Sequence, residues 1–100
     1  MCMKLVSFKG FGGVRIDADL HGDVDAPPVL LIHDAFETRA EWLGVADALT
    51  MAGRQVINVD LRGHGSSEWP IDGRYEFDAL VEDVKSVVAQ LPARPVIIGA

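Results

Sequence analysis

Hydrophobic positions along this chain follow two rhythms, and the change between them comes near residue 28. Residues 14–21, VRIDADLH, alternate strictly, with Val14, Ile16, Ala18 and Leu20 on one face and Arg15, Asp17, Asp19 and His21 on the other. A period of two marks a half-buried strand, so the polar face, His21 included, is expected in solvent. KLVSF (4–8) is a second strand, and Gly10-Phe11-Gly12-Gly13 joins the two. The opening therefore predicts an antiparallel hairpin, followed by a loop over GDVDAPP (22–28).

Beyond that loop strict alternation stops, and 29–32 is a continuous apolar run. VLLIH (29–33) and QVINVDL (55–61) read as strands covered on both faces. Between them Thr38-Arg39-Ala40-Glu41 has the spacing of a capping box, in which hydroxyl and carboxylate satisfy first-turn amides. Trp42, Val45, Ala46, Leu49 and Ala52 follow at helical spacing, and Gly53 is a natural stop. After the loop RGHGSSEWPIDGRY (62–75), Phe77, Leu80, Val81, Val84, Val88 and Leu91 form one apolar stripe. Glu82, Asp83, Lys85 and Gln90 lie off it. Pro92 ends this helix, and PVIIGA (95–100) starts another buried strand. The order hairpin, strand, helix, strand, helix, strand predicts an α/β fold: an N-terminal hairpin leading into a mostly parallel sheet, with crossover helices on both faces. The chain carries no internal repeat, linker or low-complexity tract.

Composition narrows the function. The 100 residues suit one domain, and 9 basic against 15 acidic residues leave a formal charge of -6. That balance argues against nucleic acid, which needs clustered Lys and Arg, and against anionic membrane surfaces. One cysteine, Cys2, excludes an internal disulfide and any multi-cysteine metal site. The N-terminus lacks a signal-peptide core, and runs such as VLLI are far shorter than the roughly 20 residues that span a bilayer. A cytoplasmic protein without a membrane anchor is expected.

Several features invite chemistry and fail on their context. Gly10-Phe11-Gly12-Gly13 opens a strand rather than a helix, and the dinucleotide fingerprint fails at Arg15; no cofactor is expected. The histidines lack metal-ligand spacing. A triad of His64, Ser67 and Asp60 would crowd one loop with no orienting scaffold, and Ser66 and Ser67 read as turn hydroxyls bonded to backbone. In NVDLRGHGSS (58–67) a buried strand ends at Asp60-Leu61 and turns on Gly63 and Gly65. Asp60 or Arg62 is placed to pin that loop to backbone amides or carbonyls.

Set beside VLLIHDAFETRAEW (29–42), this segment resembles the α/β-hydrolase superfamily, in which "HG" follows the third strand and a D-x-R-G-x-G-x-S loop the fourth. The resemblance runs from about Lys4 to Ala100. It implies the first five strands of the hydrolase sheet and a nucleophile on a sharp turn after the fifth, with small residues around it. Gly99 matches the first small position and Ala100 the residue before the nucleophile, which would be residue 101. The chain is thus expected to be the N-terminal part of one hydrolase domain, incomplete at its C-terminus. Lacking nucleophile and catalytic histidine, it is expected to be inactive alone. The resemblance makes the backbone N–H of Ala35, or of Phe36 if the loop shifts by one, an oxyanion-hole donor, a group worth about 100- to 1,000-fold in rate. Phe36 is otherwise, with Trp69, a candidate lining of the pocket mouth. Asp34 stands where the family usually has glycine and adds a carboxylate there. His33 and His64 read as structural, His33 orienting the oxyanion loop through its ring.

The activity implied is that of a cofactor-free, metal-free serine hydrolase acting on ester, thioester, lactone or similar acyl bonds of a small molecule. An epoxide hydrolase or dehalogenase is the alternative, and requires aspartate at position 101. His33-Asp34 itself does not fit as that nucleophile turn, because Ile32 and Phe36 are not small. A non-catalytic α/β binding module is the remaining reading; it requires that residues 1–100 fold alone despite VII as a bare strand edge. Oligomeric state is not encoded in any of these patterns.

Overall fold

The computed structural model describes residues 3–33, 38–65, 67–68 and 77–99. Its five strands are β1 (Lys4–Lys9), β2 (Arg15–His21), β3 (Pro28–Ile32), β4 (Gln55–Val59) and β5 (Val96–Gly99). The helices are α1 (Leu43–Met51) and α2 (Phe77–Ala89). The strands form one sheet in the order β1-β2-β4-β3-β5. β1 and β2 make the expected antiparallel hairpin, turning on Gly12 and Gly13, whose φ of +70° and +81° glycine alone adopts readily. β2 also pairs antiparallel with β4, while β3 runs parallel to both β4 and β5. The sheet is therefore mixed, its parallel part being the last three strands in spatial order.

The continuous apolar runs reflect burial on both faces. Val29, Leu31 and Val56 meet Ala46 of α1, with Trp42 and Leu49 packed alongside. Leu30, Ile57 and Val59 share the opposite core with Ile16 and with Val87 of α2. The connection from β3 to β4 thus covers one face and that from β4 to β5 the other.

Four side-chain expectations are corrected. Thr38 Oγ1 does accept the Ala40 N–H, but the chain enters α1 through a 3₁₀ turn, Arg39–Trp42. That tighter winding rotates the face counted from Thr38, so Ala46 and Thr50 are buried while Val45 is exposed. In α2 the fully buried positions are Ala79, Asp83 and Val87, one turn apart, and Val81 is exposed. Asp83 belongs to the inner face because its charge is paired there. His21 is buried rather than solvated, as is Asp19, because β2 is an interior strand and α1 packs across its polar face. Lastly, β5, read from its apolar run as a buried strand, is instead the bare edge expected of residues 1–100 alone: it lies at the end of the described sheet, with Val96 56% and Ile97 50% exposed. Among the described residues no helix is long and apolar enough to cross a membrane.

Candidate active-site edge

Parallel pairing aligns the carboxyl ends of three strands. Ile32 of β3 is in register with Val59 of β4 on one side and Gly99 of β5 on the other. The carboxyl end of β5 at Gly99 therefore lies beside the β3 end that leads into His33, and Asp60 follows the end of β4 on the other flank. In open α/β sheets, ligands bind in the crevice outside such strand ends.

His33 is buried, and its Nε2 accepts the Leu61 N–H at 2.9 Å. The acceptor role assigns the ring proton of the neutral imidazole to Nδ1. The His64 ring lies 5.2 Å away, centroid to centroid, and its Nδ1 is 2.9 Å from the Arg62 carbonyl oxygen. A carbonyl only accepts, so Nδ1 carries the proton there. Both histidines thus hold backbone of the 60–64 segment.

Asp60 is a buried junction. Its Oδ1 accepts the Arg39 N–H at 2.7 Å, and its Oδ2 pairs with the Arg39 guanidinium. The same guanidinium reaches Asp19 through Nε at 3.0 Å. Asn58 Nδ2 donates to the Arg39 carbonyl at 2.7 Å. Gly65, at φ +52°, packs so closely that a Cβ there would fall onto the Asp60 carboxylate. Met3, Leu5 and Leu43 rim a groove of about 500 Å³ over this charged floor. That groove opens on the α1 side of the sheet.

Arg62 points the other way, toward α2. It is 1% and Asp83 2% exposed. Arg62 Nε donates to Asp83 Oδ2 at 2.6 Å and Nη2 to Oδ1 at 2.8 Å. Both side chains also hold the hairpin turn: Nη2 donates to the Phe11 carbonyl, and the Phe11 N–H donates to Asp83 Oδ1, each at 2.8 Å. The local triad does not assemble. Ser67 Oγ donates to the Asp60 carbonyl at 2.6 Å and accepts the Asp17 N–H at 2.8 Å, stitching the loop to β2. Gly63, at φ +71°, donates its N–H to the Glu68 carbonyl at 3.0 Å and closes the turn.

Of the residues singled out from sequence, His33, Asp60, Gly63, His64 and Gly65 gather at the strand exits, and Arg62 braces them from the α2 side. Asp34, Ala35, Phe36, Ser66, Trp69 and Ala100 lie outside the described residues. Gly99 ends β5, and a Cβ on it would meet open space among the described residues. Sequence reasoning missed Asp19, Arg39, Asn58 and Asp83. The available signal was a polar side chain inside an apolar pattern: Asn58 within VINV, and Asp83 one turn from both Ala79 and Val87.

A doubly covered sheet with histidine and carboxylate side chains at the carboxyl ends of its parallel strands defines an α/β enzyme scaffold. Residues 27–100 match the family described as the alpha/beta hydrolase fold, and the chain belongs to that family. It is 31% identical over 80 residues to an sn-1-specific diacylglycerol lipase of Mus musculus, covering 79% of this chain and 25% of the lipase. It is 37% identical over 79 residues to epoxide hydrolase B of Mycobacterium tuberculosis, covering 76% of this chain and 22% of that enzyme. The fold superimposes on a thioesterase domain from the curacin biosynthetic pathway with a TM-score of 0.87 at 30% identity, covering 99% of this chain and 37% of that domain. The chain thus spans about a quarter of the length of the curated relatives it matches.

Proposed function

We propose that this chain is the N-terminal part of a single hydrolase domain, and that the whole protein is a serine hydrolase. It would cleave ester, thioester, lactone or related acyl bonds of a small molecule through an acyl-enzyme. The observation that carries the reading is the register of β5 against β3, with Gly99 opposite Ile32. A nucleophile two residues after Gly99 would leave the sheet beside His33 and the segment that follows it. Ala35, or Phe36, would there offer a backbone N–H to the oxyanion. His33, anchored to Leu61, would hold the start of that segment. The similarity to a lipase and a thioesterase supports acyl transfer. The same reading has the enzyme cytoplasmic and without cofactor or metal.

A second reading is favoured by the 37% identity to epoxide hydrolase B. It keeps the scaffold and replaces the serine with an aspartate, which would form an alkyl-enzyme ester. Fluorophosphonate labelling of the full-length protein separates the two. A labelled serine directly following Gly99-Ala100 is the expected result. An unlabelled protein that hydrates an epoxide and takes oxygen-18 from labelled water into an aspartate at that position would overturn it.

A further inference from the structure

We propose that Arg39 is a positioning residue for the catalytic edge, acting through the exit of β4. The inference rests on the reading of the segment after His33 as the oxyanion segment. His33, just before that segment, and Arg39, which follows it after Thr38, are tied to adjacent residues of one strand exit. The His33 ring takes the Leu61 N–H, and the Asp60 carboxylate takes the Arg39 N–H at 2.7 Å. Arg39 is further held through its carbonyl by Asn58 Nδ2 at 2.7 Å, and its guanidinium bridges Asp60 and Asp19. Backbone donor, backbone acceptor and side chain of one residue are thus all fastened to β4, to Asp60 just after it, and to β2.

The charges explain why the side chain matters to the backbone bond. Asp19 and Asp60 are both buried, and the Arg39 fork stands between them. Without that cation, two buried carboxylates face each other in a medium that screens poorly, and desolvation penalises both. Asp60 is then driven to rotate away, which weakens its hold on the Arg39 N–H. Lysine supplies the charge but not a planar fork reaching two carboxylates, so it restores the bridge only in part. Oxyanion donors act on charge that develops in the transition state, so loosening them lowers kcat while leaving ground-state binding alone.

The test uses the full-length enzyme, with active sites counted by fluorophosphonate labelling. For Arg39→Met, kcat per labelled site is expected to fall between about tenfold and 100-fold, the cost of misplacing a catalytic group by about 1 Å. KM stays within about twofold, as for an interaction made only in the transition state. Affinity for a trifluoromethyl ketone, which mimics the oxyanion, falls by the same factor as kcat, and Arg39→Lys lies between wild type and Arg39→Met. If Arg39→Met does not accumulate as folded protein, Arg39→Lys carries the test by the same kcat and inhibitor readouts. A labelled variant that turns over at the wild-type rate overturns the positioning role and leaves the serine reading standing. A wild-type enzyme that is not labelled overturns the serine reading and this role with it.

Discussion

Arg62 and Asp83 form a two-point ion pair inside the protein, with Nε to Oδ2 at 2.6 Å and Nη2 to Oδ1 at 2.8 Å. They join the loop after β4 to the middle of α2, and together they clasp both backbone groups of Phe11 in the hairpin turn. Gly10 is part of the fit, since a Cβ there would come within 2.6 Å of Asp83 Oδ1. Removing one partner leaves an unpaired buried charge, which typically costs about 3–5 kcal/mol. Asp83→Ala and Arg62→Ala are each expected to lower the stability of the full-length protein by that order, measured by urea unfolding. The pair Arg62→Met with Asp83→Leu removes both charges, so it is expected to be no less stable than the worse single variant. An Arg62→Ala, Asp83→Ala double variant whose loss equals the sum of the two singles would show that the residues contribute independently.

Two glycines with left-handed backbone separate strain from steric exclusion. Gly12 has φ +70° and a Cβ there meets open space, so Gly12→Ala is expected to cost only the backbone term, about 1–2 kcal/mol. Gly65 has φ +52° and a Cβ there overlaps the Asp60 carboxylate. Gly65→Ala is therefore expected to lower the melting temperature clearly more than Gly12→Ala, with loss of activity, because Asp60 must move and Arg39 with it. Equal melting temperatures for the two variants would show that the close approach to Asp60 is not what requires glycine.

Ser67 distinguishes a structural hydroxyl from a nucleophile. Its Oγ is saturated by the Asp60 carbonyl and the Asp17 N–H, both in the buried seam between β2 and the loop after β4. Ser67→Ala is expected to cost about 1–3 kcal/mol, the usual penalty for stranding buried partners. Hydrolysis per folded molecule should be unchanged. Loss of turnover in a folded Ser67→Ala protein would revive a local triad with His64 and Asp60.

The sequence was most informative where a pattern is local. Strict alternation in 14–21, the unbroken apolar run at 29–32 and the largely apolar run at 55–59 located β2, β3 and β4, because the covering of a strand's faces is written directly into its spacing. The turns at Gly12, Gly13 and Gly53 were legible for the same reason, since their φ values between +70° and +86° favour glycine. The D-x-R-G-x-G segment was recognisable as a loop of special geometry. Its partners were not: no spacing rule connects Asp60 to Arg39, or Arg62 to Asp83 across 21 residues. Asp83 was misread as outward-facing because helical periodicity sorts residues by polarity, and a paired buried charge breaks that sorting.

The amino-acid order by itself determined the succession of elements, the hairpin turn, the two covered strands and the family resemblance. These depend on contacts between near neighbours and on residue types at fixed offsets. Only the tertiary structure decided that β2 lies inside the sheet, burying Asp19 and His21. It also decided that Arg39 joins the exits of β3 and β4. Those outcomes depend on strand order and on charge pairing across distant segments. The energy of a buried charge is set by whichever partner the fold brings to it, and not by its neighbours in the chain.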